Sequence, residues 1–284
     1  MERCHGGQTV TAAFPTMMKS LKALLKPRLV HFVSRHLDLG FKPCRSITSQ
    51  EIRARFRGEE LIFEADFRTP LYETVNEVVA YDCYQFAKVA FSPSSAAVVI
   101  DIGANIGISS IVLARLYAGR IYAFEPIASN IKYLQTNLRA NRVENVECRN
   151  CALGVTEGQA TMAINPNQSV SPYVVESGRA KIPAGYEMEN VPMVTLSSFL
   201  EEIGFPLVDL LKMDCEGAEY GLVKDLAKLN HEKIRAITME VHDLDRQRNY
   251  AAMRAALIAL GYTVTYKPEL LGRPTLHHLL AIHR

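Results

Sequence analysis

From residue 97 onward, strand-like and helix-like segments alternate along the chain, and this alternation limits the possible folds more than any other feature. Between the first three strand-like segments lie "ISSIVLARLYAG" and "ASNIKYLQTNLRAN". In and just before the second of these, Ile127, Ile131, Leu134 and Leu138 recur at helical spacing and mark one buried face. Because parallel strands need such crossovers, the pattern predicts a parallel sheet covered by helices on both sides. The predicted strands span residues 97–102, 120–124, 145–150, 208–213, 235–241, 262–266 and 276–282.

The last two predicted strands are separated only by "KPELLGRPT". This segment is too short for a crossover helix, so the two strands should pair antiparallel. With 284 residues, of which 48% are hydrophobic, the chain can build a core for one α/β domain and an appendage. The expected fold is therefore a mostly parallel sheet that ends in an antiparallel hairpin.

A change of composition at "FSPSSAA", residues 91–97, predicts two regions, an N-terminal accessory region over 1–90 and the α/β domain over 91–284. In the first region, "LIFEADF" at 61–67 alternates like a short strand and residues 71–89 are typical of a helix. The basic segment "MMKSLKALLKPRLVHFVSRHL" predicts an amphipathic helix. We expect this helix to pack on the main domain or on a partner, such as a second copy in a homodimer; an organellar presequence or a membrane-surface anchor is the alternative. Residues 155–190 lack clear periodicity and are expected to be a lid, a substrate loop or a surface excursion.

Charge and cysteine content exclude several classes of protein. A net charge of +2 favours a small or neutral partner over nucleic acid or an anionic membrane. The chain contains no apolar run of the roughly 18 residues that a membrane span needs, and we expect a cytoplasmic protein. The six cysteines are scattered. Cys148 and Cys151 form a CxxC, but no second metal-binding pair accompanies it, which favours a structural role.

The segment "VVIDIGANIGISS", residues 98–110, places a glycine bend at the end of a strand. Ligands bind at the carboxyl ends of such strands, and a bend without Cβ atoms lets a ligand approach the main chain. The pattern D-x-G-x-N-x-G differs from the dinucleotide pattern G-x-G-x-x-G. Asp101 places a carboxylate where the pyrophosphate of a dinucleotide would lie. A negative charge at this position indicates a ligand that carries a cationic amine. The alternative is an ordinary strand-to-helix turn, which also favours Gly and Asn.

Glu125 ends the next strand, "RIYAFEP", 24 residues after Asp101. An acid at this position accepts both ribose hydroxyls of an adenosine group, and Pro126 then stops the strand. As an alternative, Glu125 only interacts with the dipole at the N-terminus of the helix that starts at about residue 128. The third strand ends at "CRNCALG", which puts residues 150–153 beside the presumed adenine.

Two further strand ends are rich in acids. "LLKMDCEGAEY" contains Asp214, Glu216 and Glu219, and "ITMEVHD" contains Glu240, His242 and Asp243. Because the carboxyl ends of parallel strands meet at one edge of the sheet, these side chains should gather around the same crevice.

Several of these motifs together resemble the FkbM-type S-adenosylmethionine-dependent methyltransferases. The similarity runs over roughly residues 71–245 and rests on "VVIDIGANIGISSIVLAR", "IYAFEPIASNIKYLQTNL", "NCALG", "VPMVTLSSFL", "DLLKMDCEGAEY" and "MEVHD". It implies a class I methyltransferase fold, which is a Rossmann-like, mostly parallel sheet of seven strands with one antiparallel strand. It also implies S-adenosylmethionine as cofactor and O-methylation of a hydroxyl on a sugar, glycan or other natural product. Residues 1–60 and 155–190 fall outside the resemblance, and the basic segment adds the expectation of an N-terminal helical extension.

The resemblance also implies roles for individual residues. The methionine part of the cofactor would lie along Asp101, Gly103, Ala104, Asn105 and Gly107, the ribose against Glu125 and Pro126, and the adenine against Cys151 and Ala152. Asp214 would lie near the cofactor amine and the methyl group. Tyr81 and Tyr84 would form an aromatic cover over the site, unless they only fill the core.

A hydroxyl acceptor must lose its proton to attack the methyl group. We expect His242 to be the base, because histidine titrates near neutral pH; a hydrogen-bonded structural histidine is the alternative. Asp214 or Glu216 could accept the proton instead, or with Glu240 hold a magnesium ion, although the family resemblance requires no metal. Other functions left open are a nicotinamide-dependent oxidoreductase and a non-catalytic adenosine-ligand-binding regulatory protein. Nucleic-acid methylation is disfavoured, since no N-P-P-Y motif occurs.

Overall fold

The computed structural model describes residues 40–42, 49–89, 97–165, 172–175, 182–229, 231–268 and 272–283. The basic helix predicted in the first 35 residues lies outside these ranges, as does most of the predicted boundary segment at 91–97. The division into regions 1–90 and 91–284 therefore stays a prediction. No helix in the described ranges is long and apolar enough to cross a membrane.

The described strands and helices follow in chain order. The strands are β1 Gly40–Lys42, β2 Ser49–Phe56, β3 Glu59–Asp66, β4 Val98–Ile102, β5 Arg120–Phe124, β6 Val146–Arg149, β7 Ala152–Gly154, β8 Gly158–Ile164, β9 Tyr173–Val174, β10 Glu187–Thr195, β11 Leu210–Met213, β12 Ala236–His242, β13 Tyr262–Lys267 and β14 Leu276–His283. The α-helices are α1 Leu71–Val75, α2 Ile108–Leu116, α3 Ala128–Ala140, α4 Leu196–Glu202, α5 Glu219–Leu226 and α6 Tyr250–Ala259.

The central sheet has seven strands in the order β13-β14-β12-β11-β4-β5-β6. The pairs from β12 through β6 are parallel, and β14 runs antiparallel to both of its neighbours. Two large apolar clusters cover the sheet, as expected when helices pack on both faces. The prediction of a mostly parallel, seven-stranded sheet with one antiparallel strand is confirmed, and each predicted strand agrees with an observed one to within two residues at either end.

In region 1–90 the structure differs from the predicted helix over 71–89. Helix α1 continues as a π-helical turn over Asn76–Ala80 and then stops, and a 3₁₀ turn follows at Phe86–Lys88. The cause is local, because the Asp82 carboxylate accepts the backbone N–H groups of Phe86 and Ala87 at 2.7 and 3.0 Å and so replaces the helical bonds. The predicted strand at 61–67 is confirmed as β3, which forms a hairpin with β2.

The segment 155–190 is more regular than expected. Strands β8, β9 and β10 come partly or wholly from it and join β7 in a second sheet, with the order β7-β10-β8-β9. Buried and less buried residues alternate over a short stretch of β8. The buried residues Ala160 and Met162 form an apolar cluster with Ile127 and Ala152. The surrounding Pro, Asn and Ser residues obscured this alternation in the sequence.

Candidate functional site

A cleft opens at the carboxyl ends of β4, β5, β6 and β11. Ligands of parallel α/β sheets bind at this edge. Eight of the predicted site residues line it: Gly103, Asn105, Glu125, Pro126, Cys151, Ala152, Asp214 and Glu216. Six others lie outside its lining: Asp101, Ala104, Gly107, Tyr81, Tyr84 and His242.

The glycine bend after β4 forms one side of the cleft. The backbone N–H groups of Gly103 and Ala104 both donate to the carbonyl of Phe124, at 3.0 and 2.9 Å. Gly103 has a φ of +73°, and a Cβ on it would lie 1.7 Å from the carbonyl oxygen of Asp214. Only glycine therefore allows the bend to approach the end of β11 this closely. Gly107 serves packing, since a Cβ there would lie 2.4 Å from Leu134 on α3.

Asp101 does not face the cleft, although its carboxylate was expected to meet a cationic amine. It is fully buried and lies 3.0 Å from the Lys212 ammonium. The hydroxyls of Ser109 and Ser110 donate to its Oδ2 at 2.7 and 2.6 Å. Lys212 in turn donates to the carbonyl of Gly103 at 2.8 Å. Asp101 is thus the counter-ion of a buried lysine that holds the glycine bend in place.

The two serines were not identified from the sequence, and Lys212 was considered there as a partner of the acids at the strand ends but not of Asp101. The available signal was a lysine within "DLLKMD", inside a strand that is otherwise apolar. A lysine in such a strand needs a buried partner.

Glu125 lies at the end of β5, where the sequence placed it, and only 3% of its surface is exposed. Its carboxylate accepts the backbone N–H groups of Asn105 and Ile127 at 2.9 and 3.0 Å, and the amide of Asn130 at 3.2 Å. Burial raises the pKa of Glu125 to about 7, and these donors act in the opposite direction. The group is therefore poised to gain or lose a proton near neutral pH.

Two further features make the cleft suitable for a polar ligand. The side-chain oxygen of Asn105, Oδ1, is buried and has no hydrogen-bond partner among the described residues. A buried acceptor of this kind costs free energy unless a ligand satisfies it. Asn150 donates to the carbonyls of Glu125 and Pro126 at 3.0 and 2.9 Å and so fixes the turn after β5.

At the end of the cleft next to β11, Asp214 is the central titratable group. The Tyr84 hydroxyl donates to Asp214 Oδ2 at 2.6 Å, and the Lys212 ammonium lies 3.8 Å from the same oxygen. Burial, followed by the charge of Glu240, raises the pKa of the Asp214 carboxyl above its usual value, while Lys212 and Tyr84 oppose this. Asp214 therefore binds a proton more readily than an ordinary surface aspartate.

The two tyrosines of the predicted aromatic cover do not line the cleft. Tyr84 is 4% exposed and supports Asp214 from behind. Tyr81 donates its hydroxyl to the Pro268 carbonyl at 2.7 Å, and the Lys267 ammonium lies 4.1 Å from its ring centroid. Tyr81 thus anchors the segment before the glycine bend to the edge of the sheet.

His242, the expected base, is surrounded by carboxylates. Its Nε2 lies 3.3 Å from both Glu216 and Glu240, and its Nδ1 lies 3.5 Å from Glu219. Burial disfavours the charged imidazole, but Glu219, Glu240 and Glu216 outweigh it and raise the pKa of His242 to about 11. A histidine that is protonated at neutral pH has no lone pair with which to accept a proton. The geometry therefore favours the alternative, a structural histidine, which holds the cleft-lining Glu216 in position.

Glu240 is held by two histidines. It is paired with His242 and also with His278, whose Nε2 lies 3.0 Å from Glu240 Oε2.

The cysteines of the CxxC segment are not bonded to each other. Cys148 and Cys151 are both free thiols, and burial raises the pKa of each. Within the described ranges, no group of three or more His, Cys, Asp or Glu side chains is arranged to hold a metal ion.

Three comparisons with known proteins bear on this site. A family model of the methyltransferase FkbM domain matches residues 101–264, which include the glycine bend, Glu125, Asp214 and His242. The chain is 27% identical over 233 residues to the 31-O-demethyl-FK506 methyltransferase FkbM of Streptomyces tacrolimicus, and the match covers 73% of this chain and 88% of that protein.

It is also 27% identical over 199 residues to the AMB antimetabolite synthetase AmbE of Pseudomonas aeruginosa. That match covers 59% of this chain but only 9% of the much longer synthetase. Among solved structures, the methyltransferase FkbM of Methylobacillus flagellatus matches with a TM-score of 0.47 and 16% identity, over 77% of this chain and 56% of that one.

Proposed function

The chain belongs to the FkbM family of methyltransferases, and we propose that it transfers a methyl group from S-adenosylmethionine to a hydroxyl oxygen of a sugar, glycan or other natural product. Membership of the family is the reason to expect methyl transfer. The choice of an oxygen acceptor rests on the site, and it is supported by the name of the Streptomyces tacrolimicus relative, which is an O-demethyl-FK506 methyltransferase.

The observation that carries the proposal is the position of Asp214. An alcohol hydroxyl is a poor nucleophile until it gives up its proton, so an O-methyltransferase benefits from a base beside the methyl group. Asp214 lines the cleft next to the glycine bend, has a raised pKa, and is held at Oδ2 by the Tyr84 hydroxyl. Its second oxygen, Oδ1, is the proposed proton acceptor.

The remaining residues bind and orient. Gly103 and Asn105 would hold the amino-acid part of the cofactor, with Asn105 Oδ1 as an acceptor for its ammonium. Glu125 would accept the ribose hydroxyls, and the segment from Cys151 to Leu153 would contact the adenine. When bound there, S-adenosylmethionine supplies a methyl group on a sulfonium, which is already a strong electrophile.

Asp214 would take the proton from the acceptor hydroxyl, and the bound cofactor would supply the methyl group to the acceptor oxygen. The fixed charges of Lys212 and Asp101 keep the glycine bend rigid during this step. His242 keeps its proton and holds Glu216 at the rim of the cleft. General-base assistance of this kind is worth roughly 10²–10⁴ in rate.

The test combines calorimetry with a methyl-transfer assay on a panel of hydroxyl-bearing acceptors, using isotope-labelled S-adenosylmethionine. We expect the wild-type protein to bind the cofactor and to label at least one acceptor on oxygen. Asp214→Asn should lower kcat by roughly 10²–10⁴. Asp225→Asn should not, since Asp225, near the end of α5, pairs with the exposed Lys228 and does not line the cleft. Cofactor binding without transfer to any acceptor would support a non-catalytic binding protein instead.

A further inference from the structure

We propose that the second sheet forms the purine-binding wall of the cleft, with Met162 and Val174 packing against the adenine of the cofactor. The proposal rests on the proposed function, because it assumes that the cleft binds S-adenosylmethionine. It assigns the described strands of segment 155–190 to cofactor binding, whereas the sequence suggested a substrate loop or a lid.

The order of the strands sets the direction in which the ligand lies. Proceeding across the sheet, β11, β4, β5 and β6 are neighbours, and each contributes its carboxyl end to the cleft. Asp214 follows β11, the glycine bend follows β4 and Glu125 follows β5. If the ribose lies at Glu125, the base on its far side must lie over the end of β6, where Cys151 to Leu153 begin.

The register of the second sheet places three side chains in one row, and two of them line this end of the cleft. Met162 on β8 lies directly opposite Val174 on β9 and Glu189 on β10, so the three residues form one row across the sheet. Side chains that are paired in this way point to the same face. Met162 and Val174 line the cleft.

The third member of the row shows what this face of the sheet contacts. The Glu189 carboxylate accepts the backbone N–H of Ala128 at 3.0 Å, at the first residue of α3. Ala128 follows Glu125 by three residues, so the row is anchored beside the ribose-binding acid. Ile127, which follows β5, and Ala152, which follows β6, belong to the same apolar cluster as Met162. This packing holds the second sheet against the ends of both strands.

The chemistry of this end suits a flat, uncharged ring. Its lining consists of Cys151, Ala152, Leu153, Met162, Pro172 and Val174, and contains no ionised side chain. A methionine thioether packs well against aromatic rings because it is polarisable and adapts its shape. The opposite end of the cleft is lined by the carboxylates of Asp214 and Glu216, where an acceptor hydroxyl is expected. The second sheet therefore contacts the purine and does not cover the end of the cleft at Asp214 and Glu216, where the acceptor is expected to bind.

The test measures dissociation constants of S-adenosylmethionine and S-adenosylhomocysteine by calorimetry. Met162→Ala should weaken the binding of both about tenfold, or about 1.4 kcal/mol, because the adenine is common to the two. Met162→Leu should stay within about twofold of the wild type, since the two side chains have similar volumes. Met188→Ala is the matched control, because Met188 is 48% exposed on β10 of the same sheet. At saturating cofactor, KM for the acceptor should not change in any of them.

The opposite pattern, in which Met162→Ala leaves both dissociation constants unchanged and raises KM for the acceptor, would overturn the proposal. Should Met162→Ala lose its native circular dichroism, Val174→Thr provides the same comparison at nearly constant volume, with the same two outcomes. A wild-type protein that binds neither compound would instead overturn the proposed function, so the two failures are distinguishable.

Discussion

The side-chain amide of Asn137 on α3 pairs with the backbone of Glu64 on β3 as a neighbouring strand would. Its Oδ1 accepts the Glu64 N–H at 2.7 Å, and its Nδ2 donates to the Glu64 carbonyl at 2.9 Å. One helical turn later, Asn141 makes the same pair of bonds to Ile62, at 2.9 and 2.6 Å. Asn137 Nδ2 also donates to the carbonyl of Ile106 at 2.8 Å. One asparagine thus joins the N-terminal hairpin to the loop that carries the glycine bend.

Replacing the buried Asn137 by Ala should destabilise the protein by about 3 kcal/mol, because it removes the partner of two backbone groups of Glu64 and of the buried Ile106 carbonyl. The midpoint of thermal unfolding should fall by several degrees. Gln135→Ala is the control, since Gln135 is exposed on the same helix. An unfolding midpoint equal to that of the control would show that water replaces these bonds without cost.

Replacing Gly103 by Ala should prevent folding or abolish cofactor binding, because the new Cβ would lie 1.7 Å from the Asp214 carbonyl. Gly58→Ala is a matched control with a comparable φ of +86° and no atom within 4 Å of its Cβ. The free energy of unfolding of the control should fall by only about 1–2 kcal/mol, because alanine disfavours the left-handed backbone conformation. Urea unfolding and calorimetry measure both effects. Equal losses in the two variants would show that φ alone, and not the close approach to β11, requires glycine.

Cofactor affinity should depend on pH through Glu125. Its pKa of about 7 means that the carboxylate is partly protonated below neutrality. Ribose hydroxyls donate best to the ionised form, so binding should release a proton and tighten as pH rises from about 6 to 8. Glu125→Gln should bind roughly 10- to 100-fold more weakly, consistent with the loss of charged hydrogen bonds. It should also show no pH dependence in this range. A wild-type affinity that is constant over this range would contradict the assignment.

Tyr84→Phe should shift the pH dependence of methyl transfer. The Tyr84 hydroxyl bond lowers the pKa of Asp214, so its removal should raise that pKa further. The low-pH limb of kcat would then move to higher pH, with little change in the plateau. A purely structural tyrosine would lower kcat at every pH and leave the limb in place. The experiment therefore separates positioning of the base from support of the core.

His242 should contribute to stability in a pH-dependent way. Its pKa in the folded protein is about 11, above the unfolded value of 6.5. The stabilisation is therefore fully present below about pH 6.5 and is lost progressively as pH rises towards 11. His242→Gln should cost about 3 kcal/mol near neutrality, because it removes the cation that faces the carboxylates of Glu216, Glu219 and Glu240. The difference from the wild type should shrink progressively as pH rises from about 6.5 towards 11.

His242→Lys keeps a cation at this position and should retain more stability than His242→Gln. Chemical denaturation at several pH values gives the comparison. A limb near pH 6.5 in the kcat profile of the wild type, absent in His242→Gln, would instead restore the role of His242 as the base.

Much of the site followed from local patterns. The apolar runs and the helical spacing on α3 predicted the central strands, and the short link at 267–275 predicted the antiparallel hairpin. The spacing from the glycine bend to Glu125 predicted which strand ends line the cleft. The second sheet was missed because its alternation is short and lies among turn-forming residues.

The sequence by itself determined the order of the elements, the glycine bend and the family, because these depend on residues that are close together along the chain. Only the tertiary structure decided which charged groups lie next to one another. Asp101 meets a lysine from β11, and His242 meets carboxylates from the ends of β11 and β12 and from α5. A pKa depends on burial and on charges within a few ångströms, and a linear pattern does not show which distant side chains come that close. For this reason the sequence did not show that His242 and Asp101 lie away from the lining of the cleft and are paired with charged groups, whereas Glu125, Asp214 and Glu216 line it.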